Sequence, residues 1–301
     1  AGPTVLADGR ALPGRLLFVS DSNVWVLDRG QGARLTPDRI SRQPAWSRDG
    51  KRIALVKVYS SGSDLWVMDA SGANSEEMTD FSYREERQQN YALRPAWLPD
   101  GAGLLYLSEQ ASQDTQLWQL TLDDRRRRRF LPPAGDGLGG VDAPAFSPDG
   151  STLAVTGFLN AQGQPPRPQI WLWGLSGGPW KQISAAADGA YDPTWAPDAT
   201  HLAFAVRSAG KHDIWIARAD GSGARQVTTA GTCRAPAWSP DGAWLAYLSA
   251  QSGTFDLWAL PVGQAPSATN PDATPTGPTG PARAITRGGV VDAASGISWT
   301  S

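Results

Sequence analysis

The sequence predicts an all-β fold, a six-bladed β-propeller whose C-terminal strand closes the N-terminal blade. Three observations predict it. A seven-residue phrase recurs at near-constant spacing, a tryptophan returns at one place in six successive units, and the two chain ends carry complementary fragments of the same unit.

The phrase runs Pro44-Ala45-Trp46-Ser47-Arg48-Asp49-Gly50. It returns as Pro95-Ala96-Trp97-Leu98-Pro99-Asp100-Gly101, as Pro144-Ala145-Phe146-Ser147-Pro148-Asp149-Gly150, as Pro193-Thr194-Trp195-Ala196-Pro197-Asp198 and as Pro236-Ala237-Trp238-Ser239-Pro240-Asp241-Gly242. Its aromatic residues are 51, 49, 49 and 43 positions apart. Pro presets φ at the second position of a turn, Asp tolerates the third, and Gly accepts a positive φ at the exit, so each phrase is a strand ending in a hairpin turn. A second, apolar strand follows, as in Ile53-Ala54-Leu55-Val56 and Leu245-Ala246-Tyr247-Leu248. A third carries the fixed tryptophan, which is Trp25, Trp66, Trp118, Trp171, Trp215 and Trp258 in turn. A fourth closes the unit, as in Arg34-Leu35-Thr36 and Gln226-Val227-Thr228. Four short strands per repeat of about 40–50 residues describe a propeller blade.

The ends set the blade count. The first unit, Arg15 to Thr36, lacks a first strand, whereas Gly296-Ile297-Ser298-Trp299 matches a first strand with nothing after it. Blade one is therefore drawn from residues 15–40 plus 288–301, with Ile297-Ser298-Trp299 beside Leu16-Leu17-Phe18, and one domain spans 1–301. Ring closure of this kind removes exposed sheet edges.

Composition fits this organisation. The 33 glycines and 24 prolines lie well above an average share of about 12% and are spread as turn residues. With 27 Lys+Arg against 29 Asp+Glu the charge is balanced, which argues against a nucleic-acid binder. No apolar run reaches the roughly 18 residues of a membrane span. The chain opens on Ala1-Gly2-Pro3 rather than Met, and a processed or trimmed N-terminus is expected. The aromatic positions of the repeat are expected to pack between blades. Trp180, in Gly177-Gly178-Pro179-Trp180, is the tryptophan expected to be exposed.

The phrase Pro-Ala-Trp-Ser-Pro-Asp-Gly, followed by Leu-Ala-Tyr, Asp-Leu-Trp and Leu-Thr, resembles the WD40-like repeat of the TolB-like six-bladed propellers, from about residue 15 to 301. The family includes the periplasmic TolB, propeller domains of prolyl-oligopeptidase-like enzymes and sugar-lyase propellers. The resemblance implies an exported binding or scaffold protein, periplasmic or extracellular. TolB itself carries a separate N-terminal α/β domain, for which residues 1–14 are too short.

Residues suited to catalysis are sparse. No serine-hydrolase nucleophile elbow is expected. The only histidines, His201 and His212, fall at opposite ends of one hairpin, about 15 Å or more apart, and are expected on the surface. No metal site or cofactor is expected. Cys233, the only cysteine, is expected to be a small buried group. The run Arg125 to Arg129 is expected at a solvated hairpin tip with a local anion patch as the alternative, and Gln264 to Pro281 as a mobile, dispensable excursion. Both belong to the face bearing the Pro-Asp-Gly turns.

The opposite face breaks the repeat. Just before the first strands stand Arg42 and Gln43, Arg94, Asp142, Tyr191 and Asp192, and Arg234, with Tyr83 and Arg84 in the long loop Asp80 to Tyr91. Mixed charges converging on one axis mark the channel mouth as the candidate binding site. A protein or peptide partner is the leading expectation. A sensor or carrier of a small polar ligand or glycan in the funnel is the alternative, and a sugar-lyase-type or peptidase-gating propeller is a further one. A monomer is expected.

Overall fold

A computed structural model of the protein describes residues 2–6, 9, 12–81, 90–109, 115–130, 138–159, 167–263 and 277–301. Their regular structure is β-strand, arranged as six four-stranded antiparallel sheets. In chain order from the axis outward, blade two is Ser41–Trp46, Arg52–Tyr59, Gly62–Asp69 and Glu76–Glu77. Blade three is Leu93–Trp97, Gly103–Ser108, Gln116–Thr121 and Arg127–Arg129, and blade four is Leu138–Phe146, Thr152–Leu159, Pro168–Gly174 and Lys181–Gln182. Blade five is Ala190–Trp195, His201–Ser208, Lys211–Arg218 and Arg225–Gln226, and blade six is Cys233–Trp238, Trp244–Ser249, Asp256–Pro261 and Arg283–Ala284. First strands of successive blades touch in a closed circuit.

Blade one is composite, as the chain ends predict. Ser298–Thr300 joins Arg15–Ser20, Asn23–Asp28 and Gln31–Arg34, with Arg15 opposite Thr300, Leu16 opposite Trp299 and Leu17 opposite Ser298. A second closure was not legible in the sequence. Thr4–Val5 pairs with Thr286–Arg287, and the Leu6 N–H donates to the Ile285 carbonyl at 2.8 Å, pinning the N-terminal segment beside blade six.

The repeated letters do repeated work. Gly50 takes φ 65° at the turn exit, and the Asp49 carboxylate accepts from the Ser47 hydroxyl at 2.7 Å and the Lys51 N–H at 3.1 Å. The Ser47 bond is the main cause that holds the Asp49 carboxyl below its usual range. Blade five has Ala196 in place of that serine, and His201 takes over the partnership. Its Nδ1 lies 2.8 Å from Asp198, and the side chain is buried rather than on the surface. The Asp of Asp-Leu-Trp and the Thr of Leu-Thr also belong together. Asp64 accepts from Thr79 at 2.8 Å, and the Thr79 hydroxyl in turn accepts the Leu65 N–H at 3.0 Å. Asp213 with Thr228 repeats this in blade five. In these two blades the buried Asp and Thr satisfy one another, as a low-dielectric core requires.

Seams between blades are aromatic. The Trp97 indole donates to the Ala45 carbonyl of blade two at 3.0 Å, and Trp195 to Ala145 of blade four at 3.1 Å. Arg15 and Arg52 each stack 4.6 Å from the tryptophan of the next blade, Trp46 and Trp97, while donating at 2.8 Å to the carbonyls of Gly50 and Gly101. Trp180 is not exposed. It folds back onto Trp173, ring centroids 6.1 Å apart, in the seam that also holds Phe130. The arginine run is largely engaged. Arg125 pairs with Glu76, Arg127 pairs with Asp80 at 3.1 Å and caps Phe81, and Arg128 donates to Gln119. Two of these arginines thus fasten blade three to blade two. Cys233 is buried as expected. Residues 264–276 lie outside the described residues.

Candidate binding site at the channel mouth

Each blade enters its first strand through one left-handed residue. Gln43, Arg94, Ala143, Asp192 and Ala235 have φ of 49°, 52°, 48°, 52° and 49°, and Gly296 supplies 70° in blade one. Five of the six precede the phrase's proline. Ladder registers slip there, between Arg42 and Ala45, Asp142 and Ala145, Tyr191 and Thr194, and Arg234 and Ala237. Such a bulge re-aims a side chain, here onto the channel axis, and a non-glycine residue in this conformation costs about 1 kcal/mol. The site residues expected ahead of the first strands therefore lie within them, in two tiers. Gln43, Arg94 and Asp192 are bulge residues that line the channel, whereas Arg42, Asp142, Tyr191 and Arg234 sit one position earlier and outside its lining. No alternation rule reveals the bulge. The glycine at position 296 was the only letter that betrayed it. Tyr83 and Arg84 lie outside the described residues.

Arg94 bars the mouth. Its Nε is 3.2 Å from Asp142 of blade four, and its Nη2 is 3.7 Å from Asp192 of blade five. Its Nη1 is 3.9 Å from where a Cβ on Gly296 of blade one would stand. The Arg94 N–H donates to Gln43 Oε1 at 2.8 Å, the Ala143 N–H to Asp142 at 2.7 Å, and the Asp192 N–H to the Thr156 hydroxyl at 3.2 Å. Burial pushes the Asp192 carboxyl above its usual range, with Arg94 pulling the other way. Beneath the bar a cavity of about 530 Å³ follows the small first-strand side chains Ala45, Ala96, Ala145 and Thr194 to the prolines of the turn end.

Two further groupings share this face. Arg42 pairs with Asp292 and donates to the Ser22 hydroxyl at 3.1 Å. Burial pushes Asp292 up, but the Ser295 hydroxyl, the Ala294 N–H and Arg42 outweigh it and hold its carboxyl low. At blades five and six, Arg234 Nη2 stands 3.5 Å from both imidazole nitrogens of His212, the Tyr191 ring is 6.2 Å from that imidazole, and Arg207 lies directly opposite His212 across the strand pair. Burial first, then Arg234 and Arg207, push His212 below its ordinary value of 6.5. Among the described residues no carboxylate oxygen comes within 4.0 Å of Arg207, Lys211 or Arg234. His212, expected from the sequence only as a surface histidine, is half-buried, and Arg207 was not singled out at all.

A second cavity, of about 670 Å³, opens on the flank between blades four and five, lined by Ala185, Ala186, Phe204, Val206 and Trp215. In blade two the corresponding Trp66 is covered by Lys57 at 3.9 Å, which also pairs with Asp38. Among the described residues no three His, Cys, Asp or Glu side chains gather to hold a metal. Gly174-Leu175-Ser176-Gly177-Gly178 spells Gly-x-Ser-x-Gly, contrary to the sequence expectation. It forms the exposed turn between the third and fourth strands of blade four, however, not the strand-to-helix elbow of a hydrolase.

Comparison with known proteins agrees with this architecture. The family model described as the TolB beta propeller domain matches residues 141–269. The Chlorobium luteolum "Protein TolB homolog" is 29% identical over 217 residues, 69% of this chain and 45% of that protein. The Bacillus subtilis "Uncharacterized peptidase YuxL" is 23% identical over 208 residues, 65% of this chain and 27% of that protein. Matches to the curated relatives cover between 19% and 45% of their own lengths. The crystal structure of TolB from Acinetobacter baumannii superposes with a TM-score of 0.72 at 19% identity, over 95% of this chain and 66% of that one. No helix among the described residues is long and apolar enough to cross a membrane. With its Pro-Asp-Gly repeat and its six closed blades, the chain is a six-bladed β-propeller, similar to the TolB beta propeller domain over residues 141–269.

Proposed function

We propose that this chain is a non-enzymatic, extracytoplasmic binding or scaffold propeller that engages a protein or peptide partner at the channel-mouth face. One observation carries the reading. At the mouth all six blades share the same left-handed backbone, yet they set Gln, Arg, Ala, Asp, Ala and Gly upon it. Equal geometry with unequal chemistry is what an asymmetric ligand requires, whereas the turn-end positions keep most of their letters, the Asp of the turn in all five phrases. The Arg94 bar covers the cavity from this side, which favours recognition across the surface over capture of a small molecule in the funnel. The relative named a peptidase is matched over 27% of its length, and the two histidines of this chain sit at opposite ends of one hairpin.

The test is capture of partners from an envelope extract of the source organism by the immobilised protein. A variant carrying Arg42→Ala, Arg94→Ala, Asp192→Ala and Arg234→Ala should melt close to the parent and lose the captured protein. A second variant, Arg42→Ala with Arg234→Ala, leaves the Arg94 network intact in case the first does not fold, and should weaken capture. Undiminished capture by both folded variants overturns the reading.

A further inference from the structure

We propose that Arg207, His212 and Arg234, with Tyr191 beside them, form an anion-receiving site on the rim between blades five and six, and that its ligand is a carboxylate of an acidic peptide segment. The proposal rests on the preceding reading only in using the same face.

The geometry is asymmetric in charge. On the blade three-to-five side of the mouth, Arg94 is already shared between Asp142 and Asp192. On the blade five-to-six side, Arg234 faces an imidazole instead of a carboxylate, and that imidazole sits opposite a second arginine. Three basic groups from two blades thus meet without a carboxylate partner, Arg207 and Arg234 exposed and His212 half-buried between them. Arg234 and His212 cannot strengthen one another, since a guanidinium repels an imidazolium and only a neutral ring tolerates it. An anion placed between them resolves the conflict, because it accepts from both and allows His212 to take up a proton.

The surroundings select the size of the charge. Asp192 lies near enough to act electrostatically on Arg234, and Asp188 holds the Ala209 N–H at the neighbouring hairpin. Asp213, next to His212, is occupied by the Thr228 hydroxyl and the Gly231 N–H, and the buried Cys233 of blade six has its thiol pushed up by burial. Lys211 adds a cation at the hairpin tip. The patch is thereby positive but moderated, which suits a singly charged carboxylate better than a phosphate dianion. Tyr191 offers an apolar face for the peptide's stem 6.2 Å from the imidazole.

Binding should also be linked to pH. His212 starts below 6.5, so an anion that draws it toward protonation must bind more tightly as pH falls toward that value.

The chain's having two histidines makes a direct test. The imidazole C–H resonances of the whole protein are followed by NMR from pH 5 to 8, with and without a hexaglutamate peptide, and separately with inorganic phosphate. Hexaglutamate should raise the His212 midpoint by on the order of 0.5–1 unit, while the His201 resonances, buried against Asp198 at the far end of the hairpin, should not respond to the peptide. Arg207→Gln with Arg234→Gln should weaken hexaglutamate binding by on the order of tenfold and leave the melting temperature unchanged. Arg234→Lys should retain part of the affinity. A His212 midpoint unmoved by saturating hexaglutamate, or equal binding by the double variant, overturns the site. Tighter binding of phosphate than of hexaglutamate overturns the ligand class. Because the readout is at His212, failure here is distinct from failure of partner capture by the face as a whole.

Discussion

The two ends of the channel are built by the same six strands and treated in opposite ways. At the turn end most letters persist. Ser47, Ser147 and Ser239 each satisfy their own Asp49, Asp149 and Asp241; where the hydroxyl is lost at Ala196 the contact is restored by His201, and where it is lost at Leu98 Asp100 keeps the Ala102 N–H. At the bulge end only the backbone persists, and side chains diverge onto it without compensation from blade to blade. The difference separates what the ring needs to exist from what it is free to vary.

That contrast can be broken at its structural end first. His201→Ala should strand the buried Asp198 carboxylate and cost about 1–3 kcal/mol, read as a drop in melting temperature of roughly 2–4 °C per kcal/mol. Adding Ala196→Ser should recover much of it by rebuilding the hydroxyl partner that blade two has in Ser47. No recovery would show that His201 acts by packing alone. Next in size, Arg52→Ala removes the stack on Trp97 and the bond to Gly101 and should cost about 1–2 kcal/mol in urea unfolding, with Arg52→Lys intermediate.

At the divergent end the effects shrink. Arg94→Ala leaves Asp142 and Asp192 facing one another. Their side chains are 37% and 25% exposed, so screening should hold the cost near 1 kcal/mol at pH 7. The Asp192 carboxyl is already above its usual range, so the folded state holds its proton more tightly than the unfolded state does. The deficit of Arg94→Ala should therefore shrink as pH falls through that titration, and a deficit that grows on acidification would contradict the bar. Smallest of all, His212→Gln should change stability by less than about 1 kcal/mol. His212 is depressed below 6.5, so its neutral form is favoured by folding and stability is lost as pH falls from 6.5 toward its folded midpoint. The variant's stability should be flatter than the parent's across that window, while the two converge above it.

What the sequence disclosed follows the same line. Blade number and composite blade one could be read because turns and closing strands depend on local letters: Pro-Asp-Gly, Asp-Leu-Trp, Leu-Thr. The burial of Trp180 could not, because Gly177 and Gly178 suggest only a turn, and what folds the indole down is Trp173 and Phe130 across a seam. The two-tier arrangement of Arg42, Gln43, Arg94, Asp142, Tyr191, Asp192 and Arg234 was hidden because a bulge moves register without changing composition. The role of His201 escaped because it depends on a missing hydroxyl five residues away.

Double closure sets the order in which the molecule can be made. Arg15 finds its strand partner Thr300 at nearly the full length of the chain, and Trp299 reaches back to donate to Pro13 at 2.7 Å. Blades two to six can each mature from contiguous sequence as they leave the ribosome, but blade one remains a three-stranded fragment until the last residues arrive. The slow step of folding is then a single long-range docking event, and until it occurs the Leu16–Leu17 strand presents an open edge. A chain crossing a membrane unfolded would meet the same constraint on the far side, where the nascent ring must avoid other edges until its own tail comes through.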